Sequence, residues 1–442
     1  MNEAGSALAL CALGLEKVCG TELTRLGIAR TEGRAPADSA ESGHAASAIQ
    51  PARSNGRVAF PLGSSPTRSL MRANLCLRTA ERVLIQVGKF PALDFDELFD
   101  QVRALPWEAY FAREDRLVIE RVRLKDSRLA AQTSVQAIVH KAIYERLGTV
   151  YKLSRLPETG ALRSLRVYID RDECLLGLDS SGEALHKRGY RRVPGEAPLK
   201  ETLAAGILLL SGWNHRFPLL DPLCGSGTIA IEAGLFATER APGLGRSFGF
   251  ETMPFADQAD LASERNEALG RVREDVDFRI EGSDIDPRAI SAARANATHA
   301  GLGTALRFDV GAVEAARPRY EAGYLLCNPP YGERLGSPEE AEALYRELAR
   351  SAARFSGWGL GFVTNRPDFG EFFGRYAPSI RRILNGAEEQ WFHWYPAGSE
   401  QVAGSAPPAA ARGSERPTRT DARRGPGRGG PPGRRGTLNR KE

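Results

Sequence analysis

Three short segments carry residue types that could do chemistry. The first is Asp221-Pro222-Leu223-Cys224-Gly225-Ser226-Gly227-Thr228. It follows an apolar run, Phe217–Leu220, and opens an apolar helical pattern, Thr228–Ala237. A glycine turn of this kind lets the backbone approach a ligand at the carboxyl edge of a sheet, where open α/β folds bind. The second is Gly282-Ser283-Asp284-Ile285-Asp286-Pro287. A carboxylate at a strand end, Asp284, can accept both hydroxyls of a ribose, while Asp286 suits the cap of a helix that Pro287 begins. The third is Cys327-Asn328-Pro329-Pro330-Tyr331-Gly332. The prolines fix φ and remove two N–H donors. The Asn328 side-chain oxygen and the Pro329 carbonyl can then accept from one NH₂ group. Tyr331 offers a face to a planar base, and such stacking is worth about 1–3 kcal/mol.

Other chemistries fit less well. Gly225-x-Gly227-x-x-Ala230 matches part of a dinucleotide fingerprint, but that site wants an acid about 20 residues on. Here Asp284 lies 57 residues beyond Gly227. No GxxxxGK[ST] occurs, and Cys224 and Ser226 lack a nucleophile-elbow context. The six cysteines are scattered without metal-ligand spacing, and a disulfide framework is not expected in so long a chain. No metal and no covalent nucleophile are therefore expected.

The elements that must position these motifs form two patterns. Up to about residue 180 short strands and three or four helices mix. Strands are predicted at Ser6–Leu13, Gly56–Phe60, Arg82–Phe90 and Arg116–Arg123, with a hairpin at Leu165–Asp170 and Glu173–Asp179. Helices are predicted at Gly14–Leu26, Ser69–Ala80, Asp94–Leu105 and Ala130–Leu147. From Leu199 strands alternate with helices, which indicates a parallel sheet covered on both faces. Segment 241–277 reads as an insertion in that pattern. Residues 32–54 lack the apolar content to offset ordering entropy and read as a mobile loop. Beyond Ala397 the chain is Gly/Pro/Arg-rich without an aromatic residue, the composition of a disordered tail.

The 442 residues carry a net charge of +5, with 42% hydrophobic and 26% charged residues. These values exclude wholesale disorder, collagen and coiled coil. Residues 401–442 alone account for +7 and leave −2 for residues 1–400, so a nucleic-acid surface on the folded part must be a local patch. Two basic groups stand out. Arg113, Arg116, Arg121, Arg123, Lys125 and Arg128 surround one strand, either as phosphate contacts or as a solvated face. Lys187, Arg188, Arg191 and Arg192 flank the second pattern, at an RNA surface or a domain junction. The tail would add non-specific, salt-dependent RNA affinity. No stretch reaches the ~18 apolar residues of a membrane span, and the apolar run Ala7–Leu15 lacks a leader's basic start and cleavage site. A cytoplasmic protein with reduced thiols is expected.

Together DPLCGSGT, GSDIDP and NPPYGERLG resemble a class I S-adenosylmethionine-dependent RNA methyltransferase. Leu185–Arg191 and Gly195–Ala205 narrow the resemblance to the THUMP-containing guanine-N2 methyltransferases, nearest to the bacterial 23S ribosomal RNA enzymes. Segments ALCALGLEKVCGTELTRLG and AQTSVQAIVHKAI resemble the ferredoxin-like and THUMP parts of that family. The resemblance implies an α/β chain in three parts. Residues 1–180 would form a ferredoxin-like plus THUMP RNA-binding module, with THUMP at about 45–170. Residues 181–397 would form a Rossmann-like seven-stranded methyltransferase domain, and 398–442 a basic tail. It also implies S-adenosyl-L-methionine as cofactor, held by Asp221, Cys224, Gly225, Ser226, Gly227 and Thr228, with Asp284 on the ribose and Asp309 near the adenine amine. Asn328, Pro329, Pro330 and Tyr331 would hold the target base. The implied reaction is methyl transfer to a guanine N2 of RNA, with ribosomal RNA favoured. Transfer RNA, adenine N6, a glutamine amide and a non-catalytic role in ribosome assembly remain as alternatives. The larger relatives carry a second methyltransferase domain, for which no counterpart is expected here, and the Arg-rich tail is no part of the family pattern.

Overall fold

A computed structural model describes residues 5–28, 56–192, 199–330, 337–385 and 388–399. The expected loop 32–54, Tyr331 and the basic tail lie outside the described residues. The elements run β1 (Ser6–Cys11), α1 (Glu16–Arg25), β2 (Arg57–Pro61), α2 (Pro66–Cys76), β3 (Ala80–Pro91), α3 (Phe95–Ala104), β4 (Arg116–Lys125), α4 (Gln132–Tyr151), β5 (Leu162–Asp170) and β6 (Glu173–Asp179). They continue with α5 (Glu201–Ser211), β7 (Leu219–Asp221), α6 (Thr228–Ala237), α7 (Gln258–Gly270), β8 (Ile280–Asp284), α8 (Pro287–His299), β9 (Arg307–Val310) and β10 (Tyr324–Cys327). Last come α9 (Pro338–Ala352), β11 (Gly359–Thr364), α10 (Phe369–Phe373), β12 (Ser379–Asn385) and β13 (Glu388–Tyr395). No helix among the described residues is long and apolar enough to cross a membrane.

The first six strands form one sheet in the order β2-β1-β3-β6-β5-β4. Strand alternation sends Ala7, Ala9, Val83, Ile85, Leu165, Val167, Leu176 and Leu178 into the main core. The opposite face keeps only a small cluster of Leu8, Leu84 and Tyr168. Helix α2 starts earlier and ends earlier than the periodicity predicts. Ser65 caps it by accepting from the Arg68 amide, Pro66 stands in its first turn, and Ala80 already belongs to β3.

The other seven strands form the order β12-β13-β11-β10-β7-β8-β9. β11, β10, β7, β8 and β9 are mutually parallel, and β13 is inserted antiparallel between β11 and β12. This is a Rossmann-like α/β sheet, as the strand–helix alternation predicts. Three elements were not expected from the sequence: α7 within the presumed insertion, the short α10 and β12.

Helix α7 explains what the insertion does. Arg68 and Arg72 of α2 reach across to it: Arg68 Nε donates to Asp260 at 2.7 Å, and Arg72 forms a forked pair with Glu264 at 2.8 Å and reaches Glu267 at 3.2 Å. Just before α7, Arg163 of β5 donates to the Gly249 carbonyl at 2.6 Å and the Thr252 carbonyl at 2.9 Å. Its Nε donates to Asp115 at 2.8 Å, and both side chains are buried, 2% and 5% exposed. A third tie joins the sheets directly. Leu13 and Leu384 exchange two backbone hydrogen bonds at 3.0–3.1 Å.

Removing one partner of a buried pair leaves the other charge uncompensated. Arg163→Met is therefore expected to lower the unfolding free energy by about 3–5 kcal/mol, read by urea denaturation, and the double variant Arg163→Met/Asp115→Leu to regain most of it.

Candidate active site

Order in the second sheet decides where a ligand can bind. From β7 the chain winds outward through β8 and β9, then crosses back to place β10 on the other side of β7. A crevice opens outside the carboxyl ends of the strands at such a switch point. The register puts all three motifs there. Leu325 of β10 pairs with Leu220, and Asp221 pairs with Gly282 of β8. Asn328, Asp221 and Asp284 thus end three adjacent parallel strands, and the outer two strands stand about 10 Å apart.

The glycine turn is built by its neighbours. Gly225 and Gly227 have φ of +53° and +83°, a region that L side chains rarely adopt. A Cβ on Gly227 would also come within 3.0 Å of Ala293 and the Phe308 ring, whereas one on Gly225 would meet nothing within 4 Å. The backbone is therefore packed on its inner side and open on its outer side. Asp284 fastens the turn. Its Oδ2 accepts from the Gly225 amide and its Oδ1 from the Asp286 amide, both at 2.9 Å. A carboxylate has about four lone-pair positions, so roughly two remain for a ligand hydroxyl pair. Asp286 caps α8 by accepting from the Arg288 amide at 2.9 Å, the second half of the sequence expectation.

Asp221 is buried, and burial pushes its carboxyl well above the usual range, with the nearby Asp284 charge adding to the shift. The Leu223 amide donates to it at 3.2 Å and opposes that shift. Burial likewise pushes the Cys224 and Cys327 thiols up, so neither is a ready nucleophile. The Cys224 side chain packs in the core, which leaves its backbone to face the turn. Thr228 is committed too, since its hydroxyl accepts from Arg191 at 2.8 Å. Ser226 offers its carbonyl to Asn296 Nδ2 at 3.2 Å.

Asn328 is different. Its Oδ1 is buried and has no hydrogen-bond partner among the described residues. A buried acceptor left unmade costs about 1–3 kcal/mol, and no donor among the described residues meets this oxygen. Pro329 is buried and Pro330 half-buried, which holds the amide at the strand end. Asp309 stands beside Ser283 on β9, half-exposed, and accepts from Arg307 Nε at 2.7 Å. No group of three potential metal ligands occurs among the described residues.

Several site residues escaped the sequence reading. Ile285 and Val310 directly follow Asp284 and Asp309 and are 72% and 56% exposed, an unusual state for large aliphatic side chains. They offer apolar contact to a flat ligand lying over the ends of β8 and β9. Asn296 is fully buried on the Ile290–Ala293–Ala297 face of α8, and a polar residue on an apolar stripe was its only signal. Of the second basic group, Arg188 is buried beside Glu232 at 3.6 Å, and Arg191 pairs with Glu201 at 3.3 Å while holding Thr228. These two arginines serve the junction. His186 is in a packing role, with Nδ1 at 2.9 Å from Glu81.

Comparison with known proteins agrees with this architecture. Residues 188–386 match the family model described as an RMKL-like methyltransferase domain, and residues 92–179 match the THUMP domain. YpsC of Bacillus subtilis (strain 168), described as a candidate RNA methyltransferase, is 37% identical over 77% of this chain and 88% of its own length. The ribosomal RNA large subunit methyltransferase K/L of Syntrophotalea carbinolica is 37% identical over 74% of this chain, which spans about half of that relative's length. Among solved structures, SMU.472, described as a candidate methyltransferase and crystallised with SAH, superposes with a TM-score of 0.77 at 34% identity, covering 90% of this chain and 99% of its own. A Listeria monocytogenes protein, described as a predicted N6-adenine-specific DNA methylase, reaches 0.78 at 38% identity, covering 89% and 96%. The chain belongs to the RMKL-like methyltransferase family, with a THUMP domain ahead of the catalytic sheet.

The buried Asp221 generates a prediction. Its folded-state pKa lies above the unfolded one, so at low pH, where both states are protonated, it costs nothing. As pH rises, the unfolded carboxyl ionises first and stability is lost. Asp221→Asn is expected to melt at the same temperature as the parent protein near pH 4. By pH 8 it should melt higher by about 1–2 °C, on the order of 1 kcal/mol, as followed by scanning calorimetry without ligand.

Proposed function

We propose that this protein transfers a methyl group from S-adenosyl-L-methionine to the exocyclic N2 of a guanine in RNA, with large-subunit ribosomal RNA as the favoured substrate. The observation that carries this reading is the buried Asn328 Oδ1 at the end of β10, without a hydrogen-bond partner among the described residues, one strand from the glycine turn and two from Asp284. The residues present fit the cofactor. The open outer side of Gly225 admits it, Asp221 and the turn through Thr228 line its amino-acid end, and Asp284 retains lone pairs for ribose hydroxyls. Ile285 and Val310 would flank the adenine, with Asp309 beside its amine. S-Adenosylmethionine supplies a methyl carbon already activated on a sulfonium. The SAH in SMU.472 supports this cofactor, and the names of YpsC and the K/L enzyme support RNA.

The chain's own task is to make a poor nucleophile attack. A guanine N2 lone pair is delocalised into its ring. Asn328 Oδ1 accepts one of its hydrogens and the Pro329 carbonyl the other. This favours a pyramidal nitrogen and stabilises the positive charge that grows on it, and once the N–C bond has formed in place of the S–C bond one N2 proton is lost to solvent. Pro329 and Pro330 hold both acceptors still, so most of the rate comes from positioning. Tyr331 is assigned the face of the base from the sequence alone. A base inside a duplex cannot reach this pocket and has to be unpaired or flipped out. The 1–180 module is assigned the RNA, and 181–397 the chemistry.

A second reading is adenine N6, which the name of the Listeria neighbour favours. The same two acceptors grip either amine. Nucleoside mass spectrometry after incubating ribosomal RNA with the protein and labelled S-adenosylmethionine separates them. N2-methylguanosine is the expected product, and N6-methyladenosine would replace the guanine reading. Asn328→Ala is expected to slow transfer by about 100- to 1,000-fold while binding SAH within about twofold of the parent by calorimetry. Equal rates would remove the role given to this amide.

A further inference from the structure

The open face of the first sheet holds a cationic cavity that the methyl-transfer chemistry does not use. Its volume is about 250 Å³, and Arg57, Arg82, Arg121, Arg123, Arg166 and Lys200 converge on it. The arginines of β4 reach it through a local irregularity. Leu117 and Ile119 face the core, and continued alternation would send residues 121 and 123 the same way. The register shifts between Ile119 and Arg121, as in a β-bulge, and the phase is reset. Val122 and Leu124 now pack against the core, while Arg121 and Arg123 stand beside Arg166 and Tyr168 of β5. The sheet curls enough for Arg57 of β2 to lie over the Tyr168 ring, 4.5 Å from its centroid.

The cations in this cavity fall into two sets. Arg82 is paired with Asp179, Arg166 donates to Glu120 at 3.0 Å, and Lys200 Nζ lies 3.8 Å from Glu81, a carboxylate that also lines the cavity, so these three are fixed and largely neutralised. Arg57, Arg121 and Arg123 have no carboxylate partner among the described residues, and Arg121 and Arg123 are exposed. Three uncompensated guanidiniums around one concavity form a receptor for oxyanions, and the planar fork of arginine matches phosphate in particular.

The position of the cavity gives the ligand. Lys200 stands at the start of α5, and the Leu199 carbonyl shares the Arg191 Nη2 donor with the Thr228 hydroxyl of the glycine turn. Leu384, near the end of β12, closes the same cavity. The cavity therefore adjoins the rim that carries the catalytic motifs. We propose that Arg57, Arg121 and Arg123 grip backbone phosphates of the RNA strand whose target base enters the Asn328 pocket. The proposal rests on the RNA substrate argued above and adds the site that holds it. It also divides the β4 basic group, assigning phosphate contact to Arg121 and Arg123 alone.

The test uses the full chain, in vitro transcribed large-subunit ribosomal RNA fragments and SAH. Arg121→Gln/Arg123→Gln, with and without Arg57→Gln, is expected to weaken RNA binding about 10-fold or more at 0.1 M salt. The slope of log affinity against log salt should become shallower by about 1–2. SAH affinity should stay at the parent value, which also shows that the variants are folded. Arg346→Gln/Arg350→Gln on α9 is the control and should bind RNA like the parent. Parent-like RNA binding by the triple variant would overturn the site and leave the methyltransferase reading intact. An equal loss in the control would overturn it as well, as a mere effect of net charge. A parent protein that binds SAH but neither binds nor methylates RNA would overturn both readings.

Discussion

One carboxylate holds the catalytic rim together. The two oxygens of Asp284 accept amides from the turn after β7 and from the turn after β8, so two crossover connections are locked to each other by a single side chain. The parallel register of β10, β7 and β8 does the rest, because it ends three strands at one level. In the reaction proposed above, that common level is what would let a methyl donor at the glycine turn meet an amine at Asn328. The same rim is where the chain accepts its least comfortable arrangements: a buried acid, two glycines at positive φ and an amide oxygen with no partner among the described residues. Local rules are commonly broken at sites of function, and these departures are gathered in one crevice.

Much of this was legible in the sequence. The three motifs carry their meaning locally: a glycine turn, an acid at a strand end and a proline-fixed amide need no distant partner to be recognised. The alternation of strands and helices after Leu199 likewise follows from short-range pattern. Part of what escaped depends on residues far apart in the chain. Helix α7 was missed because its buried face includes Glu264, which is comfortable there only because Arg72 lies opposite, almost two hundred residues earlier. β12 was missed because the adjacent Arg381 and Arg382 interrupt its alternation. The exposed Ile285 and Val310 were invisible for a simpler reason: an apolar residue after a strand-end acid has no sequence mark that says whether it faces water.

The basic residues illustrate the same limit. Arg188 and Arg191 resemble a surface cluster in sequence, yet the fold turns them inward to Glu232, Glu201 and Thr228. Arg121 and Arg123 look like continuing core alternation interrupted by charge, yet a shift of one residue turns them outward. Charge sign can be read from a sequence, but which side of a sheet the charge occupies is set by register.

The braces between α2 and α7, and between Arg163 and the segment before α7, have a further consequence. They fasten the N-terminal sheet to the segment before α7 and to α7 itself, within the catalytic part of the chain. A module anchored in this way cannot swing to follow a nucleic acid of arbitrary shape. On the function proposed above, the enzyme would work as a fixed caliper, and the polymer would have to bend, open and offer its nucleobase at the set reach. Selectivity would then come as much from how readily a given stem or loop deforms as from the letters it carries.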